Sequence, residues 1–303
     1  MKRFIMVGAI AALTAVIVWM APDGPREARA SSSPSQLDSV NIGDTTSEAG
    51  HDLAGWSNVW SGCGWCSADG NMRLIWGDGG QTCQEADRTA SLVLNAGGMV
   101  AQSLKVHHLD GAADDGFNVY VNGDLVGTYV ATPETGNPWY TTDFDISSGG
   151  YTGSLTISLE ATGAAWGGCG TYGQVAFSWL ELWGGPLPVR IDIKPGSDPN
   201  CINPDSNGNG VIPVAILGSA TFDASQVNAA DVTLDGVGVR LKGKSGGAGS
   251  LEDVNGDGYL DLVVHIQDWT LVAGSATATL TGYLSSGTAI QGSDSICIVP
   301  PDA

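Results

Sequence analysis

Basic residues are scarce in this chain: 12 Lys and Arg stand against 32 Asp and Glu, a formal charge of −20 over 303 residues. A surface this acidic repels nucleic acid and anionic lipid and favours cations. Histidine is scarcer still, with His51, His107, His108 and His265 the whole set, and no H-E-x-x-H zinc pattern occurs. His107 and His108 are neighbours in a strand pattern and so point to opposite faces, which argues against joint metal binding. Long segments with a 3.6-residue apolar period are missing after the N-terminus. Their absence, with 44 glycines and abundant Thr, Ser and Val, predicts an all-β protein of short strands and tight turns.

One long apolar run exists, Ile5 to Ala21, between Lys2-Arg3 and the small-x-small triplet Ala28-Arg29-Ala30. Residues 1–30 read as an export signal, with an uncleaved N-terminal anchor as the alternative. Its removal leaves 273 residues and takes four basic and two acidic residues with it, so the charge becomes −22. Export suits the six cysteines, which all follow the signal. Cys63, Cys66, Cys83 and Cys169 fall in the first half and pair in an order left open. Cys201 and Cys297 flank the second half, where a bridge would close a loop of about 97 residues and add ~4 kcal/mol in the chain-entropy model.

After a flexible lead-in at 31–38, alternation predicts strands at Ala90–Leu94, Ser103–His107, Phe117–Val121, Leu125–Tyr129, Leu155–Leu159 and Val175–Leu182. Asn122-Gly123, extended by Asp124, predicts a hairpin turn. Six or more such strands make a sandwich over 39–183. Gly184-Gly-Pro-Leu-Pro188 reads as a short stiff linker, and a second, smaller sandwich covers 189–303.

Eight of the ten tryptophans lie in the first domain. Trp76, Trp179 and Trp183 are assigned to the core. Trp56, Trp60, Trp65, Trp139 and Trp166 sit among Gly, Ser, Pro and Asn, where flat rings suit the apolar face of a sugar or a hydrophobic partner. Asp114 and Asp115, with Asp110, are further loop candidates for ligand contacts.

In the second domain, Asp253-Val-Asn255-Gly-Asp257-Gly258-Tyr259-Leu-Asp261 spaces oxygen side chains at positions one, three, five and nine of a loop that turns at a glycine. Hard-cation coordination asks for this arrangement. Val264 stands where an EF-hand has its bidentate glutamate, so Asp253, Asn255, Asp257, the Tyr259 carbonyl and Asp261 are the expected calcium ligands, with modest affinity. Asp205-Ser-Asn207-Gly-Asn209-Gly210 imitates the first half of this loop and reads as a turn.

Two patterns mimic catalytic motifs. Gly238 to Ser245 fits a phosphate loop, and Gly243-x-Ser245-x-Gly247 fits a nucleophile elbow. Each needs a following helix, and Gly246-Gly-Ala-Gly249 cannot begin one.

The stretches Val40 to His51, His108 to Gly123 and Phe177 to Leu182 together resemble a galactose-binding-like jelly roll, a fold shared by many calcium-dependent carbohydrate-binding modules. That resemblance implies a non-catalytic glycan-binding domain, and Asp44, Glu48 and Glu181 as candidate ligands of a second metal. Ser178 stands where such modules often carry an aspartate. Ile191 to Asn203, Gly210 to Leu217, the calcium loop and Gly292 to Val299 resemble an accessory β-sandwich of secreted bacterial and archaeal proteins. The loop itself resembles those of integrin-type FG-GAP repeats.

The sequence therefore predicts a secreted, calcium-binding, non-catalytic protein that recognises carbohydrate or a cell-surface component. A structural or adhesive surface protein, and a β-sandwich lyase or hydrolase built around His108, Asp114 and Asp115, are the alternatives.

Overall fold

The computed structural model describes residues 33–56, 60–61, 71–76, 89–109, 116–130, 139–162, 174–202, 210–241, 247–267 and 277–298. Ten strands come first: β1 (Ser35–Asn41), β2 (Trp60–Ser61), β3 (Asn71–Trp76), β4 (Thr89–Asn95), β5 (Val100–Leu109), β6 (Phe117–Val121), β7 (Asp124–Tyr129), β8 (Trp139–Asp145), β9 (Ser154–Ala161) and β10 (Gln174–Gly185). They form two antiparallel sheets. One runs β2-β3-β10-β5-β8, with β1 also on β10; the other runs β4-β9-β6-β7.

The pairing follows from alternation. Ala90, Leu92 and Leu94 of β4, Leu155, Ile157 and Leu159 of β9, and Phe117, Val119 and Val121 of β6 face inward. They meet Leu104 and Val106 of β5 and Phe177, Leu180 and Leu182 of β10 in one apolar core. Each large buried side chain contributes about 1.5–3 kcal/mol, so the two sheets close into a jelly-roll sandwich.

Asn122 and Gly123 form a two-residue turn, with φ of 52° and 92°. Asn tolerates that region and Gly enters it without strain. Val121 pairs with Asp124, so Asp124 opens β7 and does not lengthen the loop. The only α-helix among the described residues is α1 (Thr45–Glu48), capped by Asp44.

The second half contains β11 (Leu187–Pro188), β12 (Ile191–Ile193), β13 (Cys201–Ile202), β14 (Val211–Ile216), β15 (Thr233–Leu234), β16 (Val237–Gly238), β17 (Gly249–Glu252), β18 (Asp261–Gln267), β19 (Thr277–Tyr283), β20 (Ala289–Ser295) and β21 (Cys297–Ile298). Sheets β11-β20-β19-β15-β16 and β12-β14-β18-β17 enclose a second core that includes Ile191, Ile193, Val214, Ile216, Val264, Ile266, Leu280 and Ile290. The protein is thus two β-sandwiches. Cys201 and Cys297 pair across β13 and β21 and form a disulfide.

Segment 184–188, read as a linker, is almost wholly strand. Gly184 and Gly185 pair with Ala101 and Val100, and Leu187 and Pro188 run parallel to Ile290 and Gln291. A further contact joins the two halves: the Ala289 amide donates to the Gly98 carbonyl at 2.7 Å.

The phosphate-loop lookalike starts in sheet. Gly238 ends β16, Val239 bridges to Ile266 and the Arg240 amide donates to the His265 carbonyl; residues 242–246 lie outside the described residues. The export signal, the Asp205 turn, Cys63, Cys66, Cys83 and Cys169 lie outside them too.

Candidate functional site

The face of the first sandwich that turns away from its core is built by β8, β5, β10 and β1. Leu104, Val106 and His108 of β5 point inward, so Ser103, Lys105 and His107 point outward. On β8, inward Phe144 leaves Trp139, Thr141 and Asp143 on the outer side.

On β10 the phase changes midway. Val175 and Phe177 face the core, and so do Leu180 and Leu182. These two pairs fall in opposite phases of a period of two. The pairing with β5 shifts by one residue between Phe177 and Trp179, and that bulge turns Trp179, Glu181 and Trp183 outward. Trp179 and Trp183, assigned from sequence to the core, stand half-buried on the opposite face.

The result is a row of rings across three strands. The His107 imidazole stacks on the Trp179 indole at 4.9 Å and 6° and on the Trp139 indole at 5.3 Å and 21°. Its Nδ1 lies 3.0 Å from Thr141 Oγ1. One row further along, Asp143 and Glu181 flank Lys105 through cross-strand pairing. The Lys105 ammonium sits 4.0 Å above the Trp183 ring, a cation–π contact. The Trp183 Nε1–H donates to Glu181 Oε2 at 2.8 Å, and the Ser103 hydroxyl donates to Asp143. Rings, hydroxyls, carboxylates and an ammonium therefore share one sheet face.

His108 belongs to the opposite side. It is buried against Phe117 and Tyr129, with Nε2 2.9 Å from Thr142 Oγ1. Burial, and secondarily the neighbouring His107, push its pKa down to about 4. It is a neutral core residue.

In the second sandwich, Asp253 Oδ1 accepts from the amides of Gly256 and Asp257, and Oδ2 from Gly258. Asn255 Oδ1 accepts from Asp257, and Asp257 Oδ1 from Tyr259. Gly256 and Gly258, at φ 77° and 89°, make the turn that lets these amides converge. Asp261 is fully buried, and its two oxygens accept from Gly218 and Val254. It fastens the loop to the sheet. Among the described residues, no three Asp, Glu, His or Cys side chains converge as a bound metal requires.

No family model matches the chain, and the search of curated proteins gives no match. Solved structures do resemble it. One is the CBM36-1 domain of a multidomain xylanase from the hindgut metagenome of Trinervitermes trinervoides, 11% identical over 51% of this chain and 100% of that one, with a TM-score of 0.32. A CBM36 carbohydrate-binding module in complex with calcium and xylotriose is 15% identical over 48% and 99%, with a TM-score of 0.30. A family 6 carbohydrate-binding module is 14% identical over 48% and 93%, with a TM-score of 0.29. At these identities and scores the likeness says nothing of what this chain binds.

The remaining sequence candidates divide. Trp139 is in β8, within the aromatic row and not in a loop. Trp56 packs against the core, edge-on to Phe177 at 5.7 Å, with Nε1 donating to the Ser91 carbonyl; it is a packing residue. Trp60 is in β2. Trp65, Trp166, Asp110, Asp114 and Asp115 lie outside the described residues.

Asp44, Glu48 and Glu181 are engaged separately. Asp44 caps α1, Glu181 holds Trp183, and Glu48 takes Arg73 at 2.5 and 2.6 Å. Burial pushes the Glu48 carboxyl up, but Arg73 and the Gly43 amide outweigh it and leave it below its usual value. A group neutralised by its own arginine has little charge left for a cation. Sequence reasoning missed His107, Lys105, Trp179 and Trp183 as a set.

Proposed function

We propose that this is a secreted, non-catalytic protein whose first sandwich, residues 39–183, binds carbohydrate through the outer face of its larger sheet. The second sandwich, 189–303, serves as a calcium-stabilised accessory domain. The observation that carries the reading is the Trp139–His107–Trp179 row. The rings stack with His107 between the two indoles, so the row offers ring edges and the indole faces turned away from His107, and sugars combine apolar ring faces with hydroxyls that Thr141, Asp143, Lys105 and Glu181 can engage. Asp143 and Glu181 already hold Ser103 and Trp183. That commitment favours their use as fixed hydrogen-bond acceptors over acid–base chemistry.

Calcium suits the loop through its donor chemistry. Asp253, Asn255 and Asp257 offer hard oxygens at alternating positions, and Asp261 supports them from below. A bound ion would neutralise the Asp253 and Asp257 carboxylates, which are otherwise held by backbone amides and, at Asp257, by the Asn255 side-chain amide.

Affinity electrophoresis through gels containing xylan, β-glucan, mannan or galactan tests the glycan reading. Retardation on at least one gel is expected, with about a tenfold loss of affinity in Trp139→Ala and in Trp179→Ala, the effect of losing one aromatic anchor. Unretarded migration of the wild-type protein on every gel would sink it.

A further inference from the structure

Resting on that reading, the layout of the face also defines what kind of glycan it takes. From His107 to Ser103 along β5 is four residues, about 14 Å of strand. Aromatic groups stand at both ends of this span. The Trp139–His107–Trp179 row holds one end, and Trp183, whose backbone pairs with Ser103 and whose ring carries the Lys105 ammonium on one face and leaves the other for a sugar, holds the other. The row between them is hydrophilic: Asp143, Lys105 and Glu181 side by side.

A single sugar ring reaches one aromatic station and leaves the other bare. Linked rings fill both, with hydroxyls of the intervening unit over the carboxylate–ammonium–carboxylate row. Charge narrows the class further. The four strands of this face contain one Lys and no Arg, and that Lys is held over Trp183. Asp143, Asp145 and Glu181 set three carboxylates beside it. A uronate chain would add a negative charge with each residue, against like charges well within a Debye length of about 8–10 Å.

We infer that the face binds an extended, uncharged glycan chain of at least two linked sugars along the strand direction, with Trp183 as its second aromatic station and the Asp143–Lys105–Glu181 row excluding polyuronates.

Calorimetric titration of the full chain tests this with cellohexaose, xylohexaose and mannohexaose, their disaccharides, and hexagalacturonate. At least one neutral hexasaccharide should bind tenfold or more tighter than its disaccharide, and hexagalacturonate should not bind. Trp183→Ala should weaken the hexasaccharide about tenfold. The near-isosteric Glu181→Gln, which keeps the side chain's shape, should weaken the neutral chain and admit hexagalacturonate. A disaccharide as tight as the hexasaccharide, binding of hexagalacturonate equal to the neutral chain, or no effect of either variant overturns the inference and leaves the glycan reading standing. Binding of no saccharide at all removes both.

Discussion

Acidification should loosen the first sandwich through one side chain, His108. It is fully buried between Phe117 and Tyr129, and burial lowers its pKa from 6.5 to about 4. The unfolded chain takes up a proton near pH 6.5, whereas the folded one refuses it until about pH 4. Between those values the unfolded state binds more protons, so stability falls as pH falls. The full contribution is present above pH 6.5 and is lost by about pH 4. A gap of 2.5 pH units at about 1.4 kcal/mol per unit is worth about 3 kcal/mol, or roughly 10 °C in melting temperature for a domain of this size. Carboxylates also titrate in this window, so the comparison is with His108→Phe, which suits the aromatic surroundings. That variant forfeits the Thr142 contact at every pH, an offset of about 1 kcal/mol, but not the acid-sensitive part. Urea denaturation at pH 7 and pH 4, followed by near-ultraviolet circular dichroism, reads the difference. The stability gap between wild type and variant should shift by about 3 kcal/mol in the variant's favour on acidification. A gap that stays constant within 1 kcal/mol would refute the assignment of His108 as a buried neutral group.

Two further outcomes follow from the same contacts. Chelation of calcium should lower the melting temperature of the second sandwich, since an ion present at a hundredfold its dissociation constant adds about 2.7 kcal/mol; Asp257→Ala should abolish that dependence, and identical calorimetric traces with and without chelator would remove the calcium assignment. Arg73→Met leaves the Glu48 carboxylate, whose side chain is only 8% exposed, with the Gly43 amide but no countercharge, and should cost about 3 kcal/mol in urea denaturation. Adding Glu48→Gln should recover part of that loss, and a double variant no more stable than Arg73→Met would show that the ion pair is not the cause.

Six strands of the first sandwich were legible because inward positions alternate with outward ones, whereas β14 and β18 of the second bury consecutive residues. Phe117–Val121 coincides with β6, and Ala90–Leu94 and Leu155–Leu159 are the interiors of β4 and β9. The Cys201–Cys297 bridge was legible from its place at the ends of the second domain. The aromatic face was not, and the reason lies in one residue. Strict alternation from Phe177 sends Trp179 and Trp183 into the core and Leu180 and Leu182 to solvent. The bulge at Ser178 reverses that phase, because a one-residue shift exchanges the two faces of a strand. A signal for it was present: Val175 and Phe177 followed by Leu180 and Leu182 is an apolar pattern with one residue too many for a regular strand. Trp56 errs in the other direction. Its flanking Gly and Ser suggest an exposed loop, yet the indole N–H finds the Ser91 carbonyl and draws the ring edge-on to Phe177. Local composition describes the backbone around a tryptophan, whereas the partner that covers its ring comes from a strand distant in sequence. The same bulge that hides the site from alternation also creates it. Without the extra residue, β10 would present leucines beside His107, and the row of rings would not form.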